Sequence, residues 1–202
     1  MKTKSEAKRL AILKAAAEVF REVGFERASM SEICARVGGS KATLYNYFPS
    51  KERLFFEVMY QAKATELEVV AGSLNPDAND LKAEFLHLGC EFLRFFHTRE
   101  AVEVRRLAIA GSGTSEIGRM LFERAVAPTE EHVAEFVKKV MKRGILRTSD
   151  PKRSAVHLLS LLESEHAQHI LHGATPAPAS RAINSSVRRA VDAYLSGYEN
   201  RT

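Results

Sequence analysis

The chain has 202 residues, 45% of them hydrophobic, which is enough to bury a core without staples and to join a small domain to a larger one. No apolar run reaches the roughly eighteen residues that cross a bilayer, and the charged start, Met1-Lys2-Thr3-Lys4-Ser5-Glu6, lacks the apolar stretch of a secretory leader. The formal charge of +5 lies wholly at one end: residues 1–51 hold ten Lys or Arg against five Glu, and the remaining twenty basic and twenty acidic residues cancel. Such a segment points to an anionic partner at that end, with a merely solvated basic face as the alternative. The two cysteines, Cys34 and Cys90, have no CxxC spacing and read as small buried residues of a reducing compartment, so the expectation is a cytoplasmic protein with no membrane partner.

Almost every segment carries helical periodicity, and no alternating strand pattern persists. A first helix is predicted from about Ser5 to Val23, with Leu10, Leu13, Ala17 and Phe20 on one face and Gly24 at its C-terminal cap. Ser29-Met30-Ser31-Glu32 fits a capping box and opens a short helix with Ile33, Cys34 and Val37 inward, stopped by Gly38-Gly39. Ser40 caps a third helix ended by Pro49 after Phe48, and Ser50 caps a long fourth helix from Lys51 to about Leu74.

After the turn cluster 75–80 comes a Phe-rich helix (Phe85, Leu88, Phe92, Phe95, Phe96), then one from about Arg99 to Ala110. The loop 111–115 leads to a helix ending near Val126, and Pro128 restarts the chain as far as Gly144. Asp150-Pro151 opens a helix to about Leu171, and after a loop from Gly173 to Pro178 the last helix carries a stripe of Ile183, Val187, Ala190, Val191, Tyr194, Leu195 and Tyr198. The predicted fold is all-α with nine or ten helices, divided at 1–51 and 52–202.

Two short helices around a Gly-Gly turn make a helix-turn-helix pattern. At about 100° per residue, Leu44 and Phe48 share the inward side of the second helix, while Asn46, Ala42 and Thr43 face outward. Tyr45 and Tyr47 fall on the flanks and Lys41 at the N-terminal tip, a layout suited to base edges in a groove and phosphates on its walls.

Gly24-Phe25, the run from Ser29 to Gly38, the run from Ser40 to Phe48 and Ser50-Lys51-Glu52 closely resemble the DNA-binding domain of TetR-family regulators, over about residues 8–55. Cys34 stands where the family usually has a small residue such as Ala, and Gly39 where many members have Val. The stretch from Arg105 through Asp150-Pro151 is similar to the AefR-like subgroup. The resemblance implies that Lys41, Ala42 and Asn46 read bases and that Ser29, Thr43, Tyr45, Tyr47 and Lys51 hold phosphates. The chemistry agrees, since Asn can bridge adenine N6 and N7, Lys can donate to guanine, and an Ala methyl can meet that of thymine.

The resemblance also implies a small-molecule pocket in the second part, for which Phe85, Leu88, Phe92, Leu107, Phe122, Phe136 and Leu161 are the candidates; ordinary core packing is the competing reading for each. It implies a dimer interface on the last two helices, at Leu158, Leu162, Val187, Val191 and Tyr194, with burial inside the monomer as the alternative. His166, His169 and His172 have a three-residue spacing that could hold a metal only with help from a partner helix, so no metal or cofactor is expected. No catalytic constellation is present in the sequence: there is no phosphate-binding Gly loop, HExxH or nucleophile elbow. The expected function is a homodimeric repressor on a palindromic DNA operator, released by a small lipophilic effector. A rival reading has the second part dock a partner protein instead.

Overall fold

The computed structural model describes residues 5–72, 74–111, 116–175 and 178–200, without the side chains of 63–72. The loops expected around 112–115 and 176–177, and Lys2 and Lys4, lie outside the described residues. The helices are α1 (Glu6–Arg27), α2 (Met30–Val37), α3 (Lys41–Tyr47), α4 (Lys51–Gly72), α5 (Leu81–Phe96), α6 (Arg99–Ala110), α7 (Ile117–Leu121), α8 (Ala127–Lys142), α9 (Pro151–Glu163), α10 (Ala167–Leu171) and α11 (Ser180–Tyr198). A π-turn, Phe122–Val126, joins α7 to α8 as one bent helix, which leaves ten helices among the described residues. The all-α expectation holds, and the closest approach to a strand there is one isolated bridge, Leu146 to Glu199.

Two compact units divide the chain, Met1–Ala64 and Thr65–Thr202. The division falls inside α4 rather than at the expected 51/52, because Leu54, Phe55, Phe56 and Val58 from the first turns of α4 are buried in the first unit. There the Phe55 ring lies 5.0 Å from those of both Phe20 and Phe25, and Ile12, Leu13, Val19, Ile33 and Leu44 complete the core. Leu10, expected on the inner face of α1, is instead 44% exposed, because the buried stripe runs through Ile12, Ala16 and Val19. Helical hydrogen bonding resumes beyond Gly24, whose φ of 78° bends α1 and lets Phe25 turn back into the core.

In the second unit α5, α8, α9 and α11 surround one core. Asp150 caps α9 as its sequence suggests, its Oδ1 accepting from the Lys152 amide at 2.9 Å; Asp80 Oδ1 likewise accepts from Ala83 at 3.0 Å at the start of α5, and Thr98 Oγ1 from Ala101 at 3.3 Å at the start of α6. The helix expected to continue from Asp150 to Leu171 breaks after Glu163, where His166 leaves helical geometry at φ −121° and caps α10.

Leu158, Leu162, Val187, Val191 and Tyr194, expected at a dimer interface, are all buried in this unit's own core. The apolar stripes of α9 and α11 face each other and α5, so these side chains are out of reach of a second copy. Tyr194 also hydrogen-bonds Ser154 Oγ at 2.7 Å from inside the core. Packing is tight where α5 meets α9 and α11: a Cβ on Gly89 would lie 2.6 Å from Val187 Cγ1 and 2.7 Å from Leu162 Cδ2. Gly89→Ala is therefore expected to lower stability by about 1–3 kcal/mol through overpacking, and Leu158→Ala by about 2–5 kcal/mol through the cavity it leaves. Urea denaturation checks both, and a Leu158→Ala protein of undiminished stability but altered oligomeric state would return that residue to an interface.

Candidate functional site

Helix α3 has seven residues, too few to be stable alone, and it is set by its ends and its inner face. Ser40 Oγ accepts from the Thr43 amide at 3.1 Å and lies 3.0 Å from Thr43 Oγ1. Leu44 and Phe48 are buried beneath it, as the sequence requires. Lys41, Ala42 and Asn46 stand exposed on the opposite side, Thr43 and Tyr47 are half-buried, and Tyr45 is 47% exposed. A protruding tyrosine, an amide, a methyl and an ammonium thus share one outward face.

At the turn before α3, Gly38 (φ 68°) and Gly39 (φ 134°) occupy backbone conformations open to glycine, which reverse the chain within two residues. Lys8 Nζ donates to Gly38 O at 2.7 Å and ties the turn to α1. In α2, Ser29 Oγ accepts from the Glu32 amide at 3.1 Å, which leaves its hydroxyl hydrogen to donate outward. The reciprocal arm of the expected capping box is not made, and Glu32 instead lies 3.6 Å from Arg36. Tyr47 turns its hydroxyl to the start of α1, accepting from the Ser5 amide at 2.9 Å.

Much of the basic charge in this unit is spent internally. Arg36 grips Glu22 with two bonds of 2.8 and 2.6 Å, and Arg9 donates to the buried carboxylate of Glu57 at 2.9 Å, with Arg53 3.4 Å from its other oxygen. Lys51 is the main departure from expectation. Its ammonium donates to Phe25 O, Glu26 O and Ala28 O at 2.9, 3.3 and 3.2 Å and sits 4.3 Å from the Phe25 ring centroid. All three of its donors go to the carbonyls that close α1, so the expected phosphate contact through this ammonium is not available. Lys14, Arg21 and Lys41 have no side-chain ion pair among the described residues.

Residues 12–58 match the sequence profile of the DNA-binding domain of the tetR family of bacterial regulatory proteins, and residues 83–200 that of the C-terminal domain of AefR-like transcriptional repressors. The chain belongs to the TetR family. This TetR-family protein is a DNA-binding transcriptional regulator. It is 44% identical to the Escherichia coli K12 regulator UidR over 61 residues, 30% of this chain and 31% of UidR, so the chain matches under a third of that relative's length. The solved structure of a TetR-family regulator from Mesorhizobium loti superposes with a TM-score of 0.80 at 26% identity, covering 98% of this chain and all of that one (100%). The flavonoid-responsive regulator FrrA superposes with a TM-score of 0.69 at 27% identity, covering 98% and 100%.

The residues expected to line an effector pocket separate in the TetR-family C-terminal unit. Phe85, Leu88, Phe92 and Phe136 belong to its core, with the Phe85 ring 5.3 Å from Phe136 and 5.5 Å from Tyr194. Leu161 packs against that core half-buried, and Leu107 is half-buried outside it. Phe122 points away at 54% exposure, because the π-turn that begins there spreads its hydrogen bond over five residues, Ala127 N to Phe122 O, and turns the side chain off the inner face. An open cleft of about 630 Å³ reaches Phe85 from the surface, beside the 2.6 Å ion pair of Lys82 and Asp192.

The three histidines of 166–172 diverge. His166 Nε2 lies 3.0 Å from Ser186 Oγ, His172 Nδ1 lies 2.8 Å from Gln168 O, and His169 is exposed. No group of three metal-ligating side chains converges among the described residues, and no helix there is long and apolar enough to cross a membrane. Sequence reasoning passed over His97, the residue that ends α5. It is 4% exposed, with neither ring nitrogen hydrogen-bonded, and its ring centroid is 5.8 Å from that of His166. Burial, then the neighbouring His166 and Arg105, push its pKa down to about 4. Nothing in the sequence signals this, since a polar residue at a helix C-terminus is ordinarily solvated.

Lys51→Ala is expected to lower the stability of the DNA-binding unit by about 1–3 kcal/mol, because buried carbonyls lose a charged donor. It should leave the salt dependence of DNA binding nearly unchanged, whereas Lys41→Ala should spare stability and reduce the salt slope by about one. Thermal melts and binding titrations across salt concentrations check both. The acid response follows from His97: the unfolded chain takes this proton near the ordinary 6.5, the folded one only near 4. Its contribution is therefore present above pH 6.5 and lost as pH falls towards 4, by at most about 3 kcal/mol. Denaturation at pH 7.5 and 4.5 should show His97→Phe losing less stability across that window than the unsubstituted protein.

Proposed function

We propose that this TetR-family regulator is a repressor that binds a palindromic operator as a homodimer and is released by a small lipophilic effector. The outward face of α3 carries the reading: Lys41, Ala42 and Asn46 are exposed on a short helix whose other side is locked by Leu44 and Phe48. In a major groove, Lys41 donates to guanine, the Ala42 methyl meets that of thymine, and Asn46 pairs with adenine, its Oδ1 accepting from N6 and its Nδ2 donating to N7. Ser29, Thr43 and Tyr45 reach phosphates from the flanks and fix the register, while the Tyr47 hydroxyl, bonded to the Ser5 amide and carbonyl, braces α3 against the start of α1. Lys51 enters indirectly, by holding the end of α1 against the start of α4.

With the inner stripes of α9 and α11 already buried, a second copy docks on their outer faces. On α11 the exposed Ala182, Ser185, Ala193 and Gly197 permit close helix approach. The effector reading draws on the Phe-rich helix α5 and on the likeness to FrrA, which is named for its response to flavonoids. Release requires the effector to favour the spacing that cannot bind DNA, since equal affinity for both spacings shifts nothing. A coupling of roughly 1–3 kcal/mol lowers operator affinity about 5- to 150-fold. The second reading, a partner protein in place of an effector, is favoured by the exposed apolar side chains of Ile109 and Phe122.

Selection from random DNA should return a palindrome whose half-sites lie about 34–36 Å apart or slightly more. Asn46→Ala should relax preference at one base pair in each half-site, at about 1–3 kcal/mol. A selected site without two-fold symmetry would overturn the dimeric reading. Release from that site by small lipophilic molecules separates effector from partner: if a cell protein releases the complex and no such molecule does, the second reading stands.

A further inference from the structure

The end of the turn before α5, the first residues of α5 and the last turns of α11 enclose the open cleft of about 630 Å³, which lies wholly within the C-terminal unit. Its walls are tied together. Lys82 of α5 bridges to Asp192 of α11 at 2.6 Å. Asn200 N donates to Ile145 O at 2.9 Å and Arg147 N to Tyr198 O at 2.8 Å, which straps the chain beyond α11 to the segment after α8. Leu81 and Phe85 line the cleft from the core, while Ile145 and Leu195 are only half-buried and have apolar surface left to meet a ligand. Its charge is one-sided. Asp80, Asp192 and Glu199 line it against a single cation, Lys82, so two negative charges are in excess. Lys82 answers Asp192, whereas the Glu199 carboxylate has no hydrogen bond or ion pair among the described residues. Arg143 and Arg147 of the adjoining segment do not line the cleft: Arg143 donates to the Pro76 and Ala78 carbonyls, and Arg147 donates to Gly197 O at 2.8 Å and lies 4.7 Å from the Tyr198 ring centroid.

We propose that this cleft is the effector site and that the effector is an organic ammonium with an apolar body, its cation set against Glu199 and Asp80 and its body laid on Ile145 and Leu195. The inference rests on the effector-released reading above and specifies both the place and the ligand. A cleft lined by one sign of charge concentrates the opposite sign, and an apolar floor retains the ion that brings apolar surface with it. The volume suits a ligand of that kind, since small-molecule sites span roughly 300–1,000 Å³. A bare metal ion does not match, because no three ligating side chains converge among the described residues. An anion meets the two excess carboxylates, and an uncharged apolar molecule leaves Glu199 unanswered. Asn79 and Asp80 end the turn that follows α4, and α4 runs through both units, so a ligand held at Asp80 bears on the segment that leaves the DNA-binding unit.

The test uses the full chain, methyl-labelled at Ile and Leu, with octylammonium and 2-phenylethylammonium as probes and octanol and 2-phenylethanol as their uncharged counterparts. In titrations at pH 7 followed by methyl spectra, at least one ammonium should bind about tenfold or more tighter than its alcohol. The same ammonium should shift the Ile145 and Leu195 methyls, and methylammonium, which has the charge without the body, should shift neither. Glu199→Gln should weaken the ammonium about threefold or more and spare the alcohol. The spectra of the unsubstituted protein decide the location even if that variant folds poorly. Equal binding of ammonium and alcohol, no binding of either ammonium at 10 mM, or binding that leaves Ile145 and Leu195 unmoved would each overturn the site. So would sedimentation showing that Glu199→Gln disrupts a dimer while no ammonium binds, because a second copy then fills the cleft. Operator binding on the same sample keeps the readings apart. An ammonium that occupies the cleft and releases the operator supports the proposal, and one that occupies it without release overturns its effector role. Protein that binds its operator but no ammonium loses the cleft assignment alone, and protein that selects no operator loses the regulatory reading with it.

Discussion

The outward face of α3 depends on the burial of two side chains. A helix of seven residues does not persist in water by itself, and α3 exists because Leu44 and Phe48 complete a core already formed by Phe20, Phe25 and Phe55. With those two side chains buried, the helix has no rotational freedom left, and Lys41, Ala42 and Asn46 have to face outward. The Ser40 cap fixes where α3 begins, and the two glycines before it make the turn short enough to bring α2 and α3 together. The site's chemistry lies on one side of α3 and its precision comes from the other.

The same economy governs charge. A count of basic residues in the first quarter of the chain suggests a broad cationic face. In the folded unit Lys8, Arg9, Arg36 and Lys51 are engaged with carbonyls and carboxylates of their own chain, and their work is to hold α1, α2 and α4 in register. Lys51 is the clearest case, because an ammonium at the start of a helix is placed well for a phosphate and equally well for the open carbonyls at the end of another helix. Close geometry and partial burial favour the carbonyls.

The C-terminal unit distributes its groups differently. Its core is largely apolar and close-packed around Gly89, and His97, His166 and Ser186 meet where α5 ends, α9 breaks and α10 begins. The break after Glu163 matters to this arrangement. It brings His166 edge-on to His97 and within 3.0 Å of Ser186 Oγ, while Glu163, the last residue before it, pairs with Arg105. The π-turn between α7 and α8 likewise sends Phe122 outward, away from the aromatic core it would otherwise join.

By itself the sequence determined the helical architecture, the caps at Ser29, Ser40 and Asp150, and the outward set on α3. Each of these depends on residues within a turn or two of one another, through periodicity or a local hydrogen bond. It also determined that α9 and α11 carry apolar stripes, but not what those stripes cover. A stripe has the same sequence whether it meets its own chain or a second copy, and only the folded unit places Leu158, Leu162, Val187, Val191 and Tyr194 in the monomer's own core. The partner of Lys51 and the isolation of His97 were decided by tertiary structure for a similar reason. Both rest on groups distant in sequence, Lys51 on the carbonyls of Phe25, Glu26 and Ala28 and His97 on the approach of His166 and Arg105, and no local pattern encodes such a meeting.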